Sequence, residues 1–251
     1  MIPGRKMERD GEEREILSSA GEVMLTGTLS VPREPRGMVL FAHGSGSSSR
    51  SPRNRYVAEV LQSQGMATFL FDLLTRGEEF IDERTERLRF DIGLLAKRLC
   101  AVTESLRRDP NVGQLAMGYF GASTGAAAAL VAAAELPEAI AAVVSRGGRP
   151  DLAVQALLRV RAPTLLIVGG EDKTVIQWNR KALAQLRCPE KDLVVIPGAT
   201  HLFEEPGALE EVARLAAAWF ERFLAPVSAP LAEADRGSAH TGESHENPAG
   251  D

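Results

Sequence analysis

The chain has 251 residues, a formal net charge of −5 and 44% hydrophobic residues, an ordinary composition for one α/β domain. Its negative charge does not favour nucleic acid as a partner. The polar N-terminus lacks the apolar core of a signal peptide, and no apolar run could span a bilayer, so we expect a cytoplasmic protein with no membrane partner. Cys100 and Cys188 form no zinc spacing, which predicts reduced thiols and no metal site.

The sequence predicts one domain, residues 15–225, between two disordered ends. Residues 1–14 are polar, and residues 226–251 are rich in Ala, Gly, Glu and Pro with almost nothing large to bury. His240 and His245 belong to that second segment. We therefore do not consider them as candidate site residues.

Between these ends, short apolar runs alternate with helical patterns. The predicted strands are 15–19, 22–32, 37–42, 67–73, 114–120, 139–145, 163–168 and 192–196. The predicted helices are 55–64, 83–108, 124–135, 151–160, 177–186 and 209–224. This alternation indicates an α/β fold, a mostly parallel sheet with helices on both faces. Residues 146–162 are too few for a large lid.

The strongest chemical signal is the G-x-S-x-G pattern at residues 121–125, which follows an apolar strand and opens a helix. Such a turn is sharp enough to strain the serine, and glycines on either side let neighbouring backbone approach. The serine hydroxyl is then raised at the positive end of the helix. The pattern predicts Ser123 as a nucleophile, although a turn that merely joins strand to helix can carry the same letters.

A serine nucleophile needs a base within hydrogen-bond reach, and only His43 and His201 lie in the predicted domain. His201 follows the last strand, at the sheet edge where Ser123 is expected, and is the predicted base. His43 follows the first parallel strand and precedes Gly44. A histidine–glycine pair there usually shapes an oxyanion loop, so we expect His43 to bond local backbone beside the substrate.

The remaining catalytic groups would be oxyanion donors and a carboxylate. Backbone N–H groups of Ser45, or Gly46, and of Thr124 are the predicted donors. The acid should orient the imidazole and lie between serine and histidine in chain order. Asp172, directly after a strand, is the predicted acid. Its neighbour Glu171 is the close alternative, and Asp151 is a third candidate.

Four segments together resemble the α/β-hydrolase superfamily, nearest to dienelactone-hydrolase-like proteins. They are HGSGSS (43–48), GASTG (121–125), GGEDKTV (169–175) and GATHLFEEPG (198–207). The resemblance covers roughly residues 21–224 and implies the α/β-hydrolase fold and its triad, with no metal and no organic cofactor. Dienelactone hydrolases resemble one another in using a cysteine nucleophile, where this chain has Ser123.

Two arginines that follow strands could recognise a substrate. Arg50 lies in the loop after the first parallel strand, and Arg146 follows the strand after Ser123. A guanidinium fork matches carboxylates and phosphates, so we hypothesise that either residue binds an acidic substrate group. Solvated or helix-capping arginines are an equally good interpretation.

These observations favour a serine hydrolase that acts on a small ester, thioester or lactone through an acyl-enzyme on Ser123. One alternative is a nucleotide-binding enzyme of the NADP type, in which Arg146 would favour a 2′-phosphate, although G-x-G-x-x-G is missing. Another is a non-catalytic binding protein that keeps the hydrolase fold. Neither the natural substrate nor the oligomeric state follows from the sequence.

Overall fold

The computed structural model describes residues 11–224. They form an eight-stranded sheet with the order β1-β2-β4-β3-β5-β6-β7-β8. Its strands are β1 (Gly11–Ala20), β2 (Val23–Pro32), β3 (Gly37–Ala42), β4 (Met66–Phe71), β5 (Met117–Ala122), β6 (Ile140–Arg146), β7 (Thr164–Gly169) and β8 (Lys191–Ile196). The helices are α1 (Pro52–Ser63), α2 (Arg76–Thr85), α3 (Ile92–Arg107), α4 (Thr124–Glu135), α5 (Val154–Leu157), α6 (Lys173–Gln185) and α7 (Ala208–Leu224).

The strands from β3 to β8 run parallel, while β2 is antiparallel to both of its neighbours. Every residue of β3, β4, β5 and β7 is buried, because helices cover both faces of the sheet. One core packs α3 and α4 on one face, and a second packs α1 and α7 on the other. The carboxyl ends of the parallel strands therefore open at a single edge.

The first strand begins earlier than predicted. Residues 11–14, expected to be disordered, form the start of β1, which pairs with β2 from Gly11 opposite Pro32 to Ala20 opposite Val23. Polar residues fit there because β1 is an edge strand with one face in water. The rest of the predicted disordered ends, residues 1–10 and 226–251, lies outside the described residues, as do His240 and His245 and the last residue of the predicted domain, Ala225.

The predicted helix 83–108 was wrong as a single element. The chain forms α2, then a 3-10 turn at Leu88–Phe90, then α3. Glu86 ends α2 in the left-handed conformation with φ 54°. The buried Asp82 carboxylate accepts from the Leu88 N–H at 2.6 Å and from the Arg89 side chain. Asp91 caps α3 by accepting from the Leu94 N–H at 2.9 Å, so polar side chains stabilise the break.

Little chain lies between β6 and β7. The predicted helix 151–160 is reduced to a 3-10 turn at Pro150–Leu152 and the four-residue α5, so this connection holds no large lid. Across residues 11–224, none of the helices combines the length and the apolar character needed to cross a membrane.

Candidate active site

Ser123 lies at the turn between β5 and α4, with φ 50° and ψ −119°. L-residues rarely adopt a positive φ, and such strain concentrates at functional sites. The flanking glycines are needed because a Cβ at Gly125 would lie 2.1 Å from the Ala42 carbonyl oxygen, and one at Gly121 2.4 Å from the Ala126 Cα. The turn places Ser123 at the positive end of α4, as its sequence pattern predicts.

His201, which follows β8, forms a short hydrogen bond with Asp172, which follows β7. The distance from His201 Nδ1 to Asp172 Oδ2 is 2.6 Å, as short as hydrogen bonds to a charged acceptor become. The Asp172 side chain is largely buried, whereas that of His201 is 39% exposed. A protonated Nδ1 facing the carboxylate leaves Nε2 free to act as a base.

The other two candidate acids have different partners. Glu171, the immediate neighbour of Asp172, is half exposed, and its carboxylate lies 3.7 Å from the Lys173 ammonium. Asp151 accepts two hydrogen bonds from Arg149, at 2.9 and 2.8 Å. Of the three, Asp172 is the carboxylate that contacts His201.

The segment after β6 links the serine turn to the histidine loop. The Ser123 N–H donates to the Arg146 carbonyl at 3.1 Å. At the next residue, Gly147, a Cβ would lie 3.4 Å from Cε1 of His201, and φ is +53°. Ser123 and His201 thus lie next to the same short segment, Arg146 and Gly147. Sequence reasoning missed Gly147, although an Arg-Gly-Gly run directly after a strand could have indicated it.

His43 is buried at the end of β3, and both of its ring nitrogens bond backbone. Nε2 accepts from the Leu73 N–H at 3.0 Å, and Nδ1 donates to the Gly44 carbonyl at 3.0 Å. Burial lowers the pKa of His43 more than the Gly44 bond and the charge of Asp72 raise it. The ring therefore stays neutral. It bonds local backbone as expected, and no ring nitrogen is left for a substrate.

The predicted oxyanion donors have unequal surroundings. The Ser45 N–H donates to the Thr124 hydroxyl at 2.9 Å, so this donor already has an acceptor. Gly46 has φ +69° and occupies a tight turn closed by the bond from the Ser47 N–H to the Gly44 carbonyl, 3.2 Å. The Thr124 N–H belongs to the first turn of α4, where N–H groups lack intrahelical acceptors. The buried Thr124 side chain thus connects the loop that contains Ser45 and Gly46 to this helix.

A cavity of about 380 Å³ lies between this loop and α2. It is lined on one side by His43, Ser45 and Thr124 and on the other by Glu79 and Glu83. Burial raises the pKa of Glu79, and the charges of Asp72 and Glu83 add to that effect. The lining of the cavity is mixed, polar and apolar, and the cavity borders the start of α4.

The two arginines proposed for substrate binding lie in different places. Arg50 is exposed, and with Glu13 and Gln62 it lines a separate cavity of about 240 Å³ that none of the residues Ser123, Asp172 and His201 borders. The structure thus does not bring Arg50 to Ser123. Arg146 is buried, and its carbonyl bonds the Ser123 N–H.

Neither cysteine takes part in the site. Cys100 and Cys188 are both free thiols. Burial raises the pKa of Cys100 to about 11 and also raises that of Cys188, so both stay protonated and unreactive. Within residues 11–224, no group of three or more His, Cys, Asp or Glu could hold a metal ion.

A mostly parallel sheet with a strained serine turn after β5 and an Asp–His pair after β7 and β8 defines an α/β-hydrolase. The comparisons confirm this predicted fold class and family resemblance. The Dienelactone hydrolase family model matches residues 25–227, and the chain belongs to that family.

Solved structures show the same architecture. A dienelactone hydrolase from Anabaena variabilis is 61% identical, with a TM-score of 0.84 over 86% of this chain and 99% of that one. Est1E from Butyrivibrio proteoclasticus is 16% identical, with a TM-score of 0.69 over 83% of this chain and 98% of that one. The second likeness concerns the fold alone.

Two Mycobacterium tuberculosis proteins, from strains CDC 1551 and H37Rv, are 58% identical over 209 residues. Both are provisionally named as phosphoribosyl transferases. The match covers 83% of this chain but 46% of theirs, so the chain spans about half the length of these curated relatives. Their name describes proteins about twice as long as the matched region.

Proposed function

We propose that this chain is a serine hydrolase that cleaves a small ester, thioester or lactone through an acyl-enzyme on Ser123. The observation that carries the proposal is the 2.6 Å bond between Asp172 and His201, beside a serine held at φ 50°. An oriented imidazole and a strained serine at the same edge of the sheet are what nucleophilic acyl transfer requires.

In the proposed reaction, Ser123 Oγ attacks the substrate carbonyl while His201 Nε2 takes the hydroxyl proton. Asp172 stabilises the imidazolium that forms. As the tetrahedral intermediate collapses, His201 returns the proton to the leaving oxygen or sulfur. Water then attacks the acyl-enzyme with the same histidine as base, which releases the acid and restores Ser123.

The negative charge on the carbonyl oxygen would be held by the N–H groups of Thr124 and Ser45. In the substrate-free site the Ser45 N–H bonds the Thr124 hydroxyl. A stronger, charged acceptor can replace that hydroxyl. In this proposal, the threonine side chain keeps the oxyanion loop in place until substrate arrives.

The surroundings of the site favour a small substrate. The neighbouring cavity of about 380 Å³ is bordered by Ser45 and Thr124, although not by Ser123, Asp172 or His201, and its volume is within the range of pockets for small molecules. The connection between β6 and β7 adds only α5 and a 3-10 turn. An extended peptide would find little to hold it.

The test is labelling with a fluorophosphonate probe, followed by a panel of short-chain esters, thioesters and lactones. Wild type should be labelled, Ser123→Ala should not, and Ser63→Ala, at an exposed position on α1, is the matched control. Persistent labelling of Ser123→Ala would place the nucleophile elsewhere. No labelling and no turnover in wild type would favour a non-catalytic binding protein.

A further inference from the structure

The main chain of Ser123 is held by residues 146–149, a segment that starts with the last residue of β6. The Ser123 N–H donates to the Arg146 carbonyl at 3.1 Å, and the Arg149 N–H donates to the Ser123 carbonyl at 3.1 Å. These bonds matter because Ser123 has a φ of 50°, and a strained conformation persists only where the surrounding structure holds it. Residues 146–149 therefore help to keep the serine turn in its strained shape.

The same segment contacts the imidazole of His201. The Gly147 N–H donates to the Ile167 carbonyl of β7 at 2.7 Å. A Cβ at Gly147 would lie 3.4 Å from Cε1 and 3.5 Å from Nδ1 of His201, so the segment lies against the ring. Residues 146–149 thus touch the main chain of the serine and the ring of the histidine, and their position affects how the hydroxyl and the imidazole face each other.

Asn179, on α6, bonds this segment through its side chain. Asn179 is 0% exposed. Its Nδ2 donates to the Gly148 carbonyl at 3.0 Å and to the Val175 carbonyl at 2.8 Å. The bond to Gly148 joins α6 to residues 146–149, and the bond to Val175, within α6 itself, fixes the direction of the amide. Asn179 thus holds the segment that holds the serine turn.

Stability alone does not explain an asparagine at position 179. Its Oδ1 is buried and has no hydrogen-bond partner within residues 11–224, and an unpaired buried acceptor is costly. An apolar side chain of similar size would avoid that cost. What the amide supplies is the bond to the Gly148 carbonyl, which points to a role in the geometry of the site.

Helix α6 connects this bond to the acid of the site. The helix begins directly after Asp172, and Asn179 lies two turns further along it. Trp178, the residue before Asn179, adds a second contact, because the Arg149 guanidinium carbon lies 4.3 Å from the centre of its ring. One helix therefore carries the carboxylate that bonds the imidazole and the two side chains that hold residues 146–149.

We propose that Asn179 is a positioning residue for the proposed hydrolase. It acts through residues 146–149, which keep the Ser123 hydroxyl aligned with the ring of His201. The inference rests on the proposed hydrolase function and adds a residue that touches neither the substrate nor the reacting atoms. Without the bond to Gly148, the serine turn would shift relative to the imidazole. A misplacement of about 1 Å can lower a rate by about 10²-fold.

The kinetic test compares Asn179→Leu with Thr103→Val, since each variant loses one buried hydrogen bond. Thr103 is 0% exposed and shares a 2.7 Å bond with the Tyr119 hydroxyl, in the core between α3 and β5. Asn179→Leu should lower kcat for a 4-nitrophenyl ester, and the rate of fluorophosphonate labelling, by about 10- to 100-fold with little change in KM. Thr103→Val should show a similar loss in melting temperature and keep the kcat of wild type.

Asn179→Asp keeps the size of the side chain and gives a readout that a purely structural role would not produce. An ionised carboxylate cannot donate to the Gly148 carbonyl, whereas a protonated carboxyl can, and burial raises the pKa of a carboxyl group. The kcat of Asn179→Asp, relative to that of wild type, should therefore be higher at pH 6 than at pH 8.5. A low ratio that does not change with pH would overturn the role of the bond to Gly148.

A further measurement does not depend on turnover. In Asn179→Leu, hydrogen–deuterium exchange should be faster in peptides that cover residues 146–149, because the Gly147 and Arg149 N–H bonds open more often once the segment is no longer held. The same peptides should exchange at the wild-type rate in Thr103→Val.

The outcomes separate the two proposals. If Asn179→Leu keeps the kcat of wild type, or loses kcat without faster exchange at residues 146–149, the positioning role is overturned and the hydrolase stands. If wild type cleaves no ester and is not labelled, the hydrolase is overturned, and faster exchange in Asn179→Leu still supports Asn179 as the residue that holds the segment. A loss of kcat together with faster exchange supports both.

Discussion

A histidine follows β3 and another follows β8 at the same edge of the sheet. The two side chains differ in their burial and in their hydrogen-bond partners. His43 is buried, and backbone groups occupy both ring nitrogens. His201 is 39% exposed and pairs with a carboxylate. The comparison teaches that the partners of the ring, rather than its place after a strand, decide whether a histidine maintains the fold or can move a proton.

The largest expected difference comes from replacing His201. We expect His201→Ala to lower kcat for a 4-nitrophenyl ester by about 10⁴-fold or more, because serine loses its base. The melting temperature should change little, since the side chain is partly exposed. Steady-state kinetics and a thermal melt check both. Near-normal turnover in this variant would contradict the assignment of the base.

Asp172→Asn should have the next largest effect, a loss of about 10³- to 10⁴-fold in kcat, because the amide would favour the wrong imidazole tautomer. Its neighbour offers the control. Glu171→Gln should stay within a few-fold of wild type, since Glu171 pairs with Lys173. If the Glu171 variant lost more activity than the Asp172 variant, the two carboxylates would have to exchange roles.

Thr124→Val should lower kcat by roughly tenfold with KM little changed, on the scale of one lost hydrogen bond. The change removes the hydroxyl that accepts from the Ser45 N–H at 2.9 Å, which loosens the oxyanion loop. Thr124→Ser, which keeps the hydroxyl, should restore most of the rate. An equal loss in both variants would show that the methyl group, not the hydroxyl, is what matters.

His43→Gln should affect stability rather than chemistry. Its pKa is lowered in the fold, so the folded state favours the neutral ring. The contribution of His43 is complete above the unfolded pKa of about 6.5 and is lost as pH falls below it. We expect about 1–3 kcal/mol of destabilisation at neutral pH and a weaker acid dependence of unfolding. Denaturant titrations at pH 7.5 and pH 5.5 measure the free energy of unfolding and its dependence on pH. If the variant keeps the acid dependence of wild type, groups other than His43 cause that dependence.

Much of the fold follows from local sequence pattern. Local patterns predict all eight strands to within a few residues, and the central strands β3, β4, β5 and β7 are continuous apolar runs because a strand buried on both faces must be mostly apolar. Two misjudged regions are polar. Residues 11–14 join the sheet only because β2 supplies a pairing edge. The break between α2 and α3 depends on the Asp82 carboxylate meeting Arg89, a contact that helical periodicity does not reveal.

The serine turn can be read from the sequence alone, because its two glycines and its strand–helix context are local. The sequence also limited the base to His43 or His201 and the acid to a few carboxylates. Only the tertiary structure placed Asp172 rather than Glu171 against the imidazole, and only it revealed an unpaired charge at Arg146. The reason is physical. The order of elements along the chain shows which residues follow a parallel strand and so lie at the same edge of the sheet. The direction of a side chain, and whether a counter-ion lies beside it, depend on how distant segments pack around it.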